Sequence, residues 1–276
     1  MHRPIALSAV LLWMGGGHVR AHGDLHESIT AADAAISNSP GDAALFLRRA
    51  ELYRIHGEWD RAEADYLHAT VLHPGLSTAT FGLAQLRVAQ QRDRDAMPLL
   101  DAFLATNPGH AEGRALRAAL LEKKGQWQKA VADLDVACAS SVESCHARER
   151  AKMLERHGQI DAAVRSLDEM NRLHGRVPAL EQQALDIEER AGRYDAALKR
   201  VQHLLQTGPR PEFWLARKAT LLGKASRHAE ARTVWAEAMA AFQKMPERRR
   251  ALASNADLAA QIAAGLVQAN HRTPTP

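Results

Sequence analysis

Aromatic side chains make up only 5% of the 276 residues, and cysteine occurs just twice. A chain so poor in aromatics, and visibly rich in Ala and Leu, favours a core of helices with small contact residues over a β-sandwich. Long apolar runs are missing as well: the stretch from Ile5 to Met14 falls short of the roughly 20 residues a membrane helix needs, and nothing later approaches it. An excess of charge of one sign is nearly absent, because 36 basic against 32 acidic residues leave a formal +4. That bias is too weak to argue for nucleic acid. No H-E-x-x-H, G-x-x-x-x-G-K, G-x-S-x-G or paired zinc knuckle occurs, so an enzyme would have only dispersed acids and histidines in its favour. What remains, 46% hydrophobic and 25% charged, is the composition of a folded all-α protein.

The opening MHRPIALSAVLLWMGGGHVRA places His2 and Arg3 ahead of the apolar run and ends on Val19-Arg20-Ala21, an A-x-A-like cleavage site. It reads as a secretory signal peptide over 1–21, with an uncleaved N-terminal anchor as the alternative. Cleavage would remove Arg3 and Arg20 and lower the formal charge from +4 to +2. The exported chain would then begin HGDLHE, whose free amine, His22 and His26 offer nitrogen ligands to copper or zinc; the plainer reading is solvated residues ahead of the first helix. Export would also favour a disulfide between Cys138 and Cys145 in CASSVESC, against free thiols or a metal pair.

The strongest signal is internal repetition. Alanines stand at 62, 96, 130, 163, 197 and 231, spaced by 34 or 33. Twelve residues before each come Ala50, Ala84, Ala118, Ala151, Leu185 and Ala219. Four residues after come Tyr66, Leu100, Leu134, Leu167, Val201 and Trp235, and three further on Ala69, Phe103, Ala137, Met170, Leu204 and Ala238. Offsets of four and seven lie on one face of a helix. Gly57, Gly125, Gly158 and Gly192 punctuate the units, with Gln91 and Ser226 at the same place in the other two, and Pro74, Pro108 and Pro209 close three of them. Two antiparallel helices per unit is the direct reading.

The pattern resembles the tetratricopeptide repeat, with Trp59, Trp127 and Tyr194 at its aromatic position. Asp93 and His228 depart from that position, and the third, fourth and sixth units lack the proline, so altered turns are expected there. The resemblance implies a right-handed superhelical solenoid of six repeats over 43–245, about 43–76, 77–110, 111–143, 144–177, 178–211 and 212–245. A capping half-repeat over 22–42, a capping helix over 246–270 and a disordered tail at 271–276 complete it. It further implies a groove lined by the first helices, with Arg54, Lys123, Arg148, Lys152, Arg156, Gln182, Arg190, Arg217 and Lys224 on or near it, interspersed with Glu51, Glu122, Glu155, Asp186 and Glu189. Such a lining suits an acidic or C-terminal segment of a partner protein. No Asn stands where the chaperone-tail clamp of some members needs one, which disfavours that partner. The expectation is a periplasmic, non-enzymatic binding scaffold without cofactor.

The register makes a direct prediction. Ala130→Leu should overpack its helix pair and destabilise by roughly 1 to 3 kcal/mol, read as a lowered Tm; an unchanged Tm would refute the register.

Overall fold

The computed structural model describes residues 18–140, 144–175 and 177–271, with side chains outside this description at 18–24, 144, 145, 254, 270 and 271. Every regular element among the described residues is an α-helix. The chain forms two compact units, residues 1–140 and 141–276. The first holds α1 (His18–Asn38), α2 (Ala43–His56), α3 (Trp59–Leu72), α4 (Ser77–Ala89), α5 (Asp93–Thr106), α6 (Ala111–Lys123) and α7 (Trp127–Ser140). The second holds α8 (Ser144–Arg156), α9 (Ile160–His174), α10 (Pro178–Arg190), α11 (Tyr194–Thr207), α12 (Pro211–Lys224), α13 (His228–Gln243), α14 (Glu247–Arg250) and α15 (Ala253–His271).

All four repeating columns are buried, from Ala62 and Ala50 through Tyr66 and Ala69 to Trp235 and Ala238. Ala50, Ala62 and Tyr66 share one core cluster with Tyr53 and Leu86, and Ala84, Ala96, Leu100 and Phe103 share the next. Small residues at the crossing let the two helices of a pair approach, and the larger residues at offsets four and seven fill the space toward the next helix. Each fully buried Leu or Phe contributes about 1.5 to 3 kcal/mol of transfer free energy before entropy is counted.

The turns inside the pairs share one conformation. Gly57, Gly125, Gly158 and Gly192 have φ between 71° and 82°, and Gln91 and Ser226 adopt φ of 59° and 61° at the same place. The next residue's N–H reaches back to a carbonyl five positions earlier in each, as in Glu58 to Tyr53 (2.9 Å), Arg92 to Arg87 (2.8 Å) and Arg227 to Leu222 (2.8 Å). The altered turns expected in the second and sixth units are therefore not seen here: the helix-end hydrogen bonds and the packing of the pair hold even a side-chain-bearing residue in the left-handed region. Trp59 at the aromatic position is 41% exposed at the start of α3, whereas Trp235 is buried.

Buried carboxylates tie successive helices together. Arg49 on α2 holds Asp65 on α3 through two bonds of 2.7 Å and Asp33 on α1 through a third of 2.7 Å. Sixty-eight residues on, Arg117 on α6 repeats the arrangement with Asp133 on α7 and Asp101 on α5, at 2.7 to 2.8 Å. At the corresponding places between them stand Leu83 and Leu99, packed in one apolar cluster. Arg200 on α11 makes a third such link, to Glu188 on α10 and Asp168 on α9.

At the C-terminal side the expected single helix is two, the four-residue α14 and then α15. Leu258 and Ile262 of α15 join the cluster of Val234, Trp235 and Phe242, so α15 covers the last pair. Two helix–helix approaches depend on a missing Cβ. A Cβ on Gly82 would stand 2.3 Å from the Tyr66 ring, and one on Gly265 would stand 2.3 Å from that of Trp235. Tyr66 cannot swing aside, because it is fully buried and its hydroxyl donates to Glu51.

Gly82→Ala should therefore destabilise by roughly 1 to 3 kcal/mol, although alanine is the better helix former. Gly223→Ala in α12, where a Cβ would meet nothing within 4 Å, should be neutral or stabilising by up to about 0.5 to 1 kcal/mol. Chemical denaturation of both variants tests the contrast.

Candidate functional site

The groove residues are placed unequally. Arg54 lies part-buried on α2 and pairs with Glu51 at 2.8 Å, one turn earlier on the same helix. Lys123, exposed at the end of α6, pairs with Asp93 of α5 at 2.8 Å. In the second unit the first helices are laddered to one another. Arg190 on α10 grips Glu155 on α8 through bonds of 2.7 and 3.0 Å. Arg217 on α12 reaches Asp186 at 2.6 Å and also contacts Glu189, while Lys224 meets Glu189 at 2.6 Å. Arg190, Arg217 and Lys224 thus hold one first helix against the next, a structural use that their assignment to partner binding did not foresee.

Four of the nine come together. Arg148, Lys152, Gln182 and Arg190 line a cavity of about 450 Å³ between α8 and α10, with Gln183 and Asp186 completing its wall. Gln183 is the residue that the sequence reading missed. Its amide donates to the Arg148 carbonyl at 2.9 Å, and its carbonyl accepts from Arg148 Nε at 3.1 Å. These two hydrogen bonds fix the Nε end of the guanidinium against α10. Lys152 pairs with the exposed Glu149, at 2.6 Å, and Gln182 is exposed on α10. Arg156 is exposed at the end of α8 and is not part of the cavity lining. The ladder had a signal in the sequence: Arg148 and Gln183, Glu155 and Arg190, and Glu189 and Lys224 are each 35 residues apart.

Electrostatically the cavity is mixed. Burial raises the Asp186 carboxyl above its usual range, against the opposing pull of Arg217 and Arg190. Elsewhere, burial and then Glu51 raise the Tyr66 hydroxyl far above an ordinary phenol, so it remains a donor.

The other candidates are less developed. His26 is exposed on α1, which begins at His18 and runs through positions 22 and 26, so neither histidine lies ahead of the first helix as expected. The side chains of His22 and Cys145 lie outside the described residues, as do residues 1–17 of the segment read as a signal peptide, while Cys138 is part-buried on α7. Among the described residues no three His, Cys, Asp or Glu side chains cluster as a metal site, and no helix is long and apolar enough to cross a membrane.

The raised carboxyl of Asp186 has a signed consequence. Its folded state takes up a proton at higher pH than the unfolded chain, so its contribution is favourable at low pH and is lost as pH rises through the folded value. Asp186→Asn should therefore keep or raise the Tm at pH 7 despite the lost bond to Arg217, with the difference vanishing in acid below about pH 3.5. Thermal melts at the two pH values check this.

Comparison with known proteins adds three findings. The tetratricopeptide repeat family model matches residues 18–77 and 81–141. The tetratricopeptide repeat and J domain-containing co-chaperone DNJ1 of Fusarium oxysporum f. sp. lycopersici is 29% identical over 156 residues, 53% of this chain. The match spans 30% of that protein's length. Among solved structures, a tetratricopeptide repeat protein from Parabacteroides merdae aligns at TM-score 0.50 and 17% identity, over 88% of this chain and 94% of its own. PilW, a type IV pilus biogenesis factor, aligns at 0.54 and 19%, over 69% and 89%. YrrB, described as having an unusual peptide-binding site, aligns at 0.50 and 19%, over 64% and 91%. The repeating columns, the helix pairs they build and the family match agree: residues 18–77 and 81–141 match the tetratricopeptide repeat, and the described chain has the fold of a tetratricopeptide repeat solenoid.

Proposed function

We propose that this protein is a non-enzymatic adaptor of an exported compartment, the bacterial periplasm, which holds a segment of a partner protein on the first-helix face of its second unit. The observation that carries the reading is the cavity between α8 and α10, where Arg148, Lys152 and Gln182 offer donors on a rigid ladder of ion-paired helices. A site held open in advance loses little protein entropy on binding, and charge-assisted donors of this kind suit a carboxylate-bearing segment. Peptide binding by YrrB and the assembly role of PilW are consistent with such a use of the fold. The export half of the proposal rests on the leader-like residues 1–21.

The test is a cross-linked pull-down of the exported protein from its own cells beside the Arg148→Glu, Lys152→Glu variant. A partner captured by the wild type and lost by the variant supports groove recognition. Equal capture by both would overturn the groove assignment, and recovery of the protein only from the cytosol would overturn the export assignment.

A further inference from the structure

The second unit carries a basic turn separate from that cavity. Between Lys244 and Ala256 stand Lys244, Arg248, Arg249 and Arg250 against Glu247 alone, a local charge of +3 in a chain whose formal total is +4. Arg248, Arg249 and Arg250 form most of α14 and are all exposed. None of the three has an ion pair among the described residues, whereas arginines such as Arg49, Arg117, Arg190 and Arg200 are bonded to carboxylates.

The turn is held from beneath. Asn255 is 5% exposed, and its side-chain amide donates to the Arg249 carbonyl at 2.7 Å. The same side chain accepts from Arg210 Nη2 at 2.6 Å. Arg210, between Pro209 and Pro211, has a left-handed backbone with φ of 69°, an uncommon state for a residue with a side chain. Its guanidinium also bonds the buried Glu212 at 3.1 Å and lies over the Phe213 ring, 5.7 Å from the centroid. A strained backbone residue and a buried amide thus pin the loop before α12 to the turn that displays the three free arginines.

We infer that the α14 turn is a docking surface for an acidic segment of a partner protein, recognised by Arg248, Arg249 and Arg250 from a backbone pinned by Asn255 and Arg210. Charge complementarity selects an anion, and the pinning selects a protein over a lipid surface. Arginine forks bind carboxylates in a defined geometry, and fixing their backbone lowers the ordering cost. A fluid headgroup layer needs no such positioning, and the four-residue α14, with Leu252 the single large exposed apolar residue beside it, has no apolar face to lie in a bilayer. The inference does not depend on the cavity between α8 and α10.

The experiment is fluorescence anisotropy of a short labelled polyglutamate peptide titrated with the full chain. The variant Arg248→Gln, Arg249→Gln, Arg250→Gln changes only exposed side chains. A control, Arg165→Gln, Arg172→Gln, Arg232→Gln, removes three exposed arginines elsewhere in the same unit. Salt-sensitive binding that weakens about tenfold or more in the first variant, with the control unchanged, supports the proposal. The Arg148→Glu, Lys152→Glu variant should bind the peptide as wild type does, which separates this surface from the cavity. Absence of peptide binding, equal weakening by the control, or arginine-dependent binding to anionic vesicles without binding to the peptide would each overturn it.

Discussion

The close crossing of two helices at paired small residues is the constraint on which every other contact depends. In the first pair Ala50 and Ala62 share one core cluster, and both are fully buried. The crossing sets the height at which Tyr66 or Leu100 emerges toward the following helix, and so the depth of the cluster it must fill. When the filling residue is large the next helix must give way, and it does so by losing a side chain: Gly82 accepts Tyr66 and Gly265 accepts Trp235. Close packing allows no other adjustment, since a core at crystalline density has no spare volume.

Charge acts as a second fastening. Arg49 and Arg117 each join three successive helices through one buried and one exposed carboxylate, and Leu83 with Leu99 stands by apolar contact in the pair between them. An ion triad and a leucine cluster are interchangeable because a buried pair, once its desolvation is counted, stabilises about as much as well-packed hydrocarbon. The first helices of the second unit use the same device in a more exposed setting, where Glu155, Asp186 and Glu189 draw in Arg190, Arg217 and Lys224. Cations spent on this ladder are poorly available to a ligand. Arg148 and Lys152 in the cavity, the latter paired with the exposed Glu149, and the three arginines of α14 stand outside that ladder and have donors to offer.

Much of the fold was legible because its core repeats. Twenty-four positions in four columns all proved buried, and one stretch of helix pair predicted the next. Legibility failed where a residue's role depends on its neighbour in space. Gln91 and Ser226 looked like departures but occupy the same left-handed turn as the glycines, since the closing hydrogen bonds are made by backbone atoms common to every residue. Trp59 and Trp127 hold the aromatic position of their repeats, yet neither is fully buried, Trp59 being 41% exposed at the start of α3. The nine groove residues were chosen for charge and position, and six of them turned out to be ion-paired within the protein, two of these, Arg190 and Lys224, to a carboxylate 35 residues earlier.

The sequence by itself determined the all-helical class, the pairing of helices, the register and the core, because periodic burial of apolar side chains is written one residue at a time at fixed spacing. Only the tertiary structure decided which cations remain free, how Asn255 and Arg210 pin the basic turn, and which glycines make room for aromatic rings. Those outcomes depend on distances between residues 16 to 45 apart along the chain, and a spacing in sequence does not contain them until the helices have packed.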